Sequence, residues 1–159
     1  MIDVSVLPLT AALLSTVCGG ILVASEPARA TGTFEVTIGP QPADSHADGA
    51  TLGRMTLDKT YHGDLEGTAV GQMLTGMSPT EKTSGAYVAV ERVTGTLGGR
   101  KGSFLLYHVG VMDRGAQHLQ VTVVPDSGTG QLTGLTGTLT IDIRGKEHAY
   151  TLEYALPEP

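Results

Sequence analysis

Between Thr31 and the C-terminus, apolar and polar side chains alternate with a period of two, and Gly, Pro, Asp and Ser interrupt the alternation at short intervals. Phe34, Val36 and Ile38 alternate with Glu35 and Thr37 and stop at Gly39-Pro40, which predicts a first strand. Gln41 to Gly49 is a polar loop. Met55, Leu57, Lys59 and Tyr61 then alternate with Thr56, Asp58, Thr60 and His62 in a second strand that ends in the turn Gly63 to Gly67. A third strand runs from Thr68 to Thr75, before a loop at Ser78 to Lys82.

The strongest signal is Tyr87 to Met112, where two runs rich in β-branched and aromatic residues flank Gly98-Gly99-Arg100-Lys101-Gly102. This is the pattern of a β-hairpin, supplying strands four and five. A two-residue loop at Gly99-Arg100 with Gly first, as a type II′ turn requires, sets Gly98 opposite Lys101 and Glu91 opposite His108. Tyr87, Ala89, Val93, Phe104, Leu106, Gly110 and Met112 then share the face of that pair. A slip of one residue would instead pair His108 with Arg92 and turn Glu91 to the other face.

A sixth strand spans His118 to Val124 with Leu119, Val121 and Val123 on one face, and Pro125 to Gly130 breaks it. Gln131 to Gly137 reads as a Gly-rich bend. Strands seven (Thr138 to Arg144) and eight (His148 to Leu156) meet at Gly145-Lys146-Glu147. No helical period persists for a dozen residues. Eight strands joined mostly by short turns predict an all-β fold: a single eight-stranded antiparallel up-and-down barrel, whose closure removes both exposed edges. An interior of that size is filled by side chains or holds one small ligand.

Composition fits this reading. The chain has 159 residues, 22 of them Gly, and no Trp, so one domain with a largely aliphatic core is expected. A net charge of −6 without a Lys/Arg cluster argues against nucleic acid and against an anionic membrane as partners. Self-association into a homo-oligomer stays open. Cys18 is the sole cysteine, which excludes an intrachain disulfide and a cysteine-based zinc cage. The five His show no metal-ligand spacing, His46, His62 and His118 are read as solvent-facing, and neither a metal nor a cofactor is expected.

Residues 1–30 read as a leader separate from a barrel domain at 31–159. Val4 to Ser25 carries no charge, and Ala28-Arg29-Ala30 resembles a signal-peptidase site, which implies export to the periplasm or medium. Asp3 stands where basic residues are expected, so a retained anchor, a misplaced start and a cytoplasmic location are the alternatives.

Taken together, Thr31-Gly-Thr-Phe-Glu, Lys59-Thr-Tyr-His-Gly-Asp-Leu-Glu-Gly67, Glu91-Arg-Val-Thr-Gly-Thr-Leu97, Gly102-Ser-Phe-Leu-Leu-Tyr-His108 and Val124-Pro-Asp-Ser-Gly-Thr-Gly130 resemble a bacterial family of small domains of unknown function whose fold is similar to the allene oxide cyclase barrel. The resemblance covers Thr31 to Tyr154 and implies an eight-stranded barrel with a central cavity. Relatives of that barrel include cyclases that direct ring closure of reactive apolar substrates. No catalytic motif of allene oxide cyclase is matched here residue by residue, so its reaction is not carried over.

The residues themselves support an isomerase or cyclase acting in the lumen, which needs a dry apolar wall and one or two groups that move a proton. Tyr87, Phe104, Leu106 and Met112 are candidates for the wall, Glu91 for the general base or proton relay, and His108 for its partner. Lys59 and Tyr61, on one face of strand two with Leu57, are secondary ligand-binding candidates. Two other readings stand beside this one: a lipocalin-like carrier of an apolar molecule, and a structural barrel in which Glu91 and His108 are a buried pair that fixes register.

Overall fold

The computed structural model describes residues 27–42 and 49–157. Cys18, His46 and the leader up to residue 26 lie outside them. The strands are β1 (Ala28–Gln41), β2 (Thr51–Gly63), β3 (Leu65–Met77), β4 (Gly85–Leu97), β5 (Arg100–Asp113), β6 (Ala116–Val123), β7 (Thr136–Arg144) and β8 (Glu147–Ala155), with one 3-10 turn at Gly130–Leu132. Each pairs antiparallel with the next in sequence, and β8 pairs with β1 to close the barrel. The expected eight-stranded up-and-down barrel is therefore present.

Several strands extend past their expected ends. Gly39 and Pro40 were read as a stop, yet they pair with Thr56 and Met55 of β2. A glycine weakens a strand only locally, and a ladder partner on a neighbouring strand outweighs that preference. At the start, Ala28, Arg29 and Ala30 pair with Tyr154, Glu153 and Leu152 of β8, and Ala30 is buried. The barrel thus includes three residues assigned above to the leader.

The hairpin register differs from expectation. Leu97 pairs with Arg100, which makes Gly98-Gly99 the loop in place of Gly99-Arg100. Both glycines have positive φ, 54° and 81°, as a type I′ turn requires; the twist of that turn matches the twist of the flanking strands. Glu91 consequently faces Leu106, and His108 faces Ala89. The shift is two residues, and an even shift leaves every side chain on its face. Ala89, Glu91, Val93, Phe104, Leu106 and His108 are all buried inside the barrel.

One seam is built differently. β6 and β7 share a single pair, Thr122 with Thr138. Beyond Val123 the chain leaves β6 and runs along the first half of β5, where alternate polar side chains stand in for strand backbone. Ser127 Oγ accepts from Leu105 N at 3.0 Å, Thr129 Oγ1 from Ser103 N at 3.0 Å, and Gln131 Oε1 from Lys101 N at 2.8 Å. This connection carries Leu132 and Leu135, both fully buried, into one end of the barrel.

The interior therefore has two halves. At the end closed by the β6–β7 connection, Leu65, Val93, Leu97, Phe104, Leu106, Leu132, Leu135 and Leu152 form a filled core. Toward the other end, where the β3–β4, β5–β6 and β7–β8 turns lie, a smaller group of Leu57, Met73 and Ala89 leaves the lumen open.

Candidate functional site

Inward positions of β2, β4 and β5 converge where the filled half meets the open one. Glu91 Oε1 accepts three hydrogen bonds there: from Lys59 Nζ at 2.9 Å, from the Tyr61 hydroxyl at 3.0 Å and from His108 Nε2 at 3.1 Å. Lys59 Nζ also donates to the Tyr61 hydroxyl oxygen at 3.4 Å. Among the described residues Glu91, His108 and Lys59 are the buried acidic and basic ones, with relative exposures of 1%, 4% and 7%. The other carboxylate oxygen, Oε2, is buried and accepts no hydrogen bond from the described residues.

Local sequence explains how a carboxylate fits. Gly71 of β3 lies opposite Glu91, and a methyl group there would come 2.7 Å from Glu91 Cβ and 2.7 Å from the Val90 carbonyl oxygen. Lys59 Nζ sits 4.7 Å from the centre of the Phe34 ring, so the aromatic face and Glu91 together hold the ammonium. Phe34 also stacks on His148 of β8, its ladder partner, at 5.2 Å between ring centres.

Burial alone would raise the Glu91 carboxyl. The His108 hydrogen bond, the Lys59 charge and the remaining contacts outweigh it and hold the group below its ordinary range. Burial pushes the Tyr61 hydroxyl up, and the Glu91 charge and hydrogen bond push it further, so Tyr61 is a donor and not a phenolate. Because an ionised carboxylate can only accept, His108 Nε2 carries a proton, and in the neutral ring Nδ1 holds the lone pair.

Above this cluster lies a cavity of about 410 Å³, lined by apolar side chains from β1 to β3 and β7, by Tyr87 and Met112, and by three basic groups, Lys59, His108 and His148. Of the residues expected to bind ligand, Tyr87, Met112 and Lys59 line it. Phe104, Leu106 and Tyr61 belong to the filled core beneath. Glu91 is not part of the lining; it sits behind Lys59 and His108. Tyr87 lies across Gly110, where an added methyl would meet its ring at 2.1 Å, so the glycine gives the tyrosine its place in the lumen.

Sequence reading missed Phe34, Met73 and His148 as site residues. Phe34 was legible as an inward position of the first strand; His148 reaches the site only because β8 closes onto β1. Asp64 lies in the β2–β3 turn and Glu66 at the start of β3, both at the filled end, where they accept from Thr31 N at 2.7 Å and Gly63 N at 2.8 Å. His62 and His118 are exposed. Among the described residues no three His, Cys, Asp or Glu side chains come together in a way that could hold a metal ion.

The sequence and the barrel both have relatives. A solved structure of a protein of unknown function from Shewanella oneidensis MR-1, of the DUF3224 family, is 45% identical, with a TM-score of 0.78 over 84% of this chain and 99% of the other. No curated protein matches the chain. The sequence profile of DUF3224, described as a protein of unknown function, matches residues 30–154, and the chain belongs to that family.

Proposed function

We propose that this protein takes an apolar small molecule into the open half of its barrel and moves a proton on it through His108, acting as an isomerase or cyclase. The observation that supports this reading is the pairing of a mostly apolar lumen with a few basic groups: the cavity of about 410 Å³ is lined by His108, Lys59 and His148, and Glu91 backs the first two. Glu91 is thereby moved from the general base expected above to a positioning role. Its carboxylate fixes the His108 tautomer and stabilises the imidazolium formed when Nδ1 takes a proton from the substrate. Lys59 supplies positive charge beside an enolate or alkoxide as it develops, in a site whose apolar walls keep the dielectric low.

The carrier reading draws on the same cavity and treats the Glu91 cluster as an anchor. The two separate by comparing wild type with His108→Gln, each purified from its own host and analysed by native mass spectrometry and then by chromatography of the released compound. An isomerase yields compounds of equal mass and different retention from the two proteins. The same compound from both would favour the carrier, and an empty lumen in both would remove the small-molecule reading.

A further inference from the structure

Lys59 differs from every other lysine in the chain. Lys82, Lys101 and Lys146 are exposed, whereas Lys59 is buried with its side chain lining the inner end of an apolar cavity. We propose that the lumen captures an aldehyde or ketone with an apolar tail as a Schiff base on Lys59 Nζ. This deepens the reading that the open half takes up a small molecule, and depends on it.

The geometry supplies what imine formation needs. Two of the three ammonium protons are directed at Glu91 Oε1 (2.9 Å) and the Tyr61 hydroxyl oxygen (3.4 Å), which leaves one direction for a ligand. His108 lines the cavity together with Lys59 and, with its Nε2–H held by Glu91, keeps the Nδ1 lone pair to take the ammonium proton. The neutral amine then adds its lone pair to the carbonyl carbon. The carbonyl oxygen collects two protons, one from Nζ and one returned by His108, and departs as water as the carbon–nitrogen double bond forms. Ammonium and aldehyde become protonated imine and water, with no oxidant or reductant consumed. The remaining N–H stays on Glu91, which serves as counter-ion, and the Phe34 ring 4.7 Å away faces the same positive charge before and after. Apolar walls limit the water that would hydrolyse the product.

The test uses the full-length protein incubated with decanal and sodium cyanoborohydride, which reduces a protonated imine to a stable secondary amine, followed by peptide mapping. Binding of the neutral fluorophore N-phenyl-1-naphthylamine is measured in parallel to report the lumen itself. Despite its burial, Lys59 should be alkylated about tenfold more than any exposed lysine, the advantage of holding the two reactants together. Excess fluorophore should suppress that label and spare the others. Lys59→Arg, which keeps the charge beside Glu91, should bind the fluorophore and lose the label. Fluorophore binding with alkylation spread over Lys82, Lys101 and Lys146 would overturn the imine and leave the small-molecule reading standing. Absence of both fluorophore binding and a Lys59 label would overturn the two together.

Discussion

Glu91 gathers three donors on one oxygen inside the barrel, and that sets what its replacement does. Sequence reading alone suggests that Glu91→Gln would abolish turnover without weakening the fold. The structure changes that expectation, because the amide leaves the Lys59 ammonium buried without a counter-charge. Breaking a buried pair in this way costs about 3–5 kcal/mol, and the urea midpoint should fall accordingly. The pH dependence follows from the depressed Glu91 carboxyl. A group whose pKa is lower folded than unfolded stabilises the fold above its unfolded value, about 4.3 for Glu, and that contribution is lost as pH falls through the folded value. The stability gap between wild type and Glu91→Gln should thus be full at neutral pH and narrow on acidification below about 4.3. A gap independent of pH would show that the charge of Glu91 is not what the fold uses.

Within β3 and β4 the close approach of two strands decides which residues can stand at the site. Gly71 has ordinary strand geometry, so its requirement is space and not backbone freedom: a methyl there meets both Glu91 Cβ and the Val90 carbonyl. Gly71→Ala must displace β4 and should cost about 1–3 kcal/mol, as overpacking does. Thermal unfolding reads this, and a neutral result would mean that β3 and β4 part easily. The hairpin teaches a related lesson about legibility. Alternation identified the inward face of β4 and β5 correctly because it has a period of two. The loop position was not legible, because in Gly98-Gly99-Arg100 two adjacent pairs each satisfy a recognised turn type, and the type I′ choice depends on strand twist.

Over the whole molecule, the two halves of the barrel should respond differently to the same kind of truncation. Leu132 is fully buried in the filled end, so Leu132→Ala should open a cavity and cost about 2–5 kcal/mol. Met112 borders a lumen that is already open, and Met112→Ala should cost under about 1 kcal/mol while altering small-molecule affinity. Denaturation of the two variants alongside a fluorophore titration checks both halves at once. Equal costs would mean that the open half is packed in solution. The filled end depends on the β6–β7 connection, which follows β5 through Ser127, Thr129 and Gln131 and delivers Leu132 and Leu135.

What the sequence by itself determined is the class of fold and the inner face of the hairpin strands β4 and β5, because side-chain alternation and turn residues are local and the pleat enforces them. It also brought Glu91, His108, Lys59 and Tyr61 forward as the polar groups on otherwise apolar faces. Their shared meeting point on one carboxylate oxygen was decided by the tertiary structure, since it depends on the stagger of β2, β4 and β5 around a closed barrel. The same holds for His148 beside Phe34, which are 114 positions apart in the chain and adjacent only through the β1–β8 closure. Which half of the lumen is filled was likewise settled in three dimensions. A Gly-rich stretch with no strand pattern becomes the plug at one end only when β5 offers it a ladder to follow.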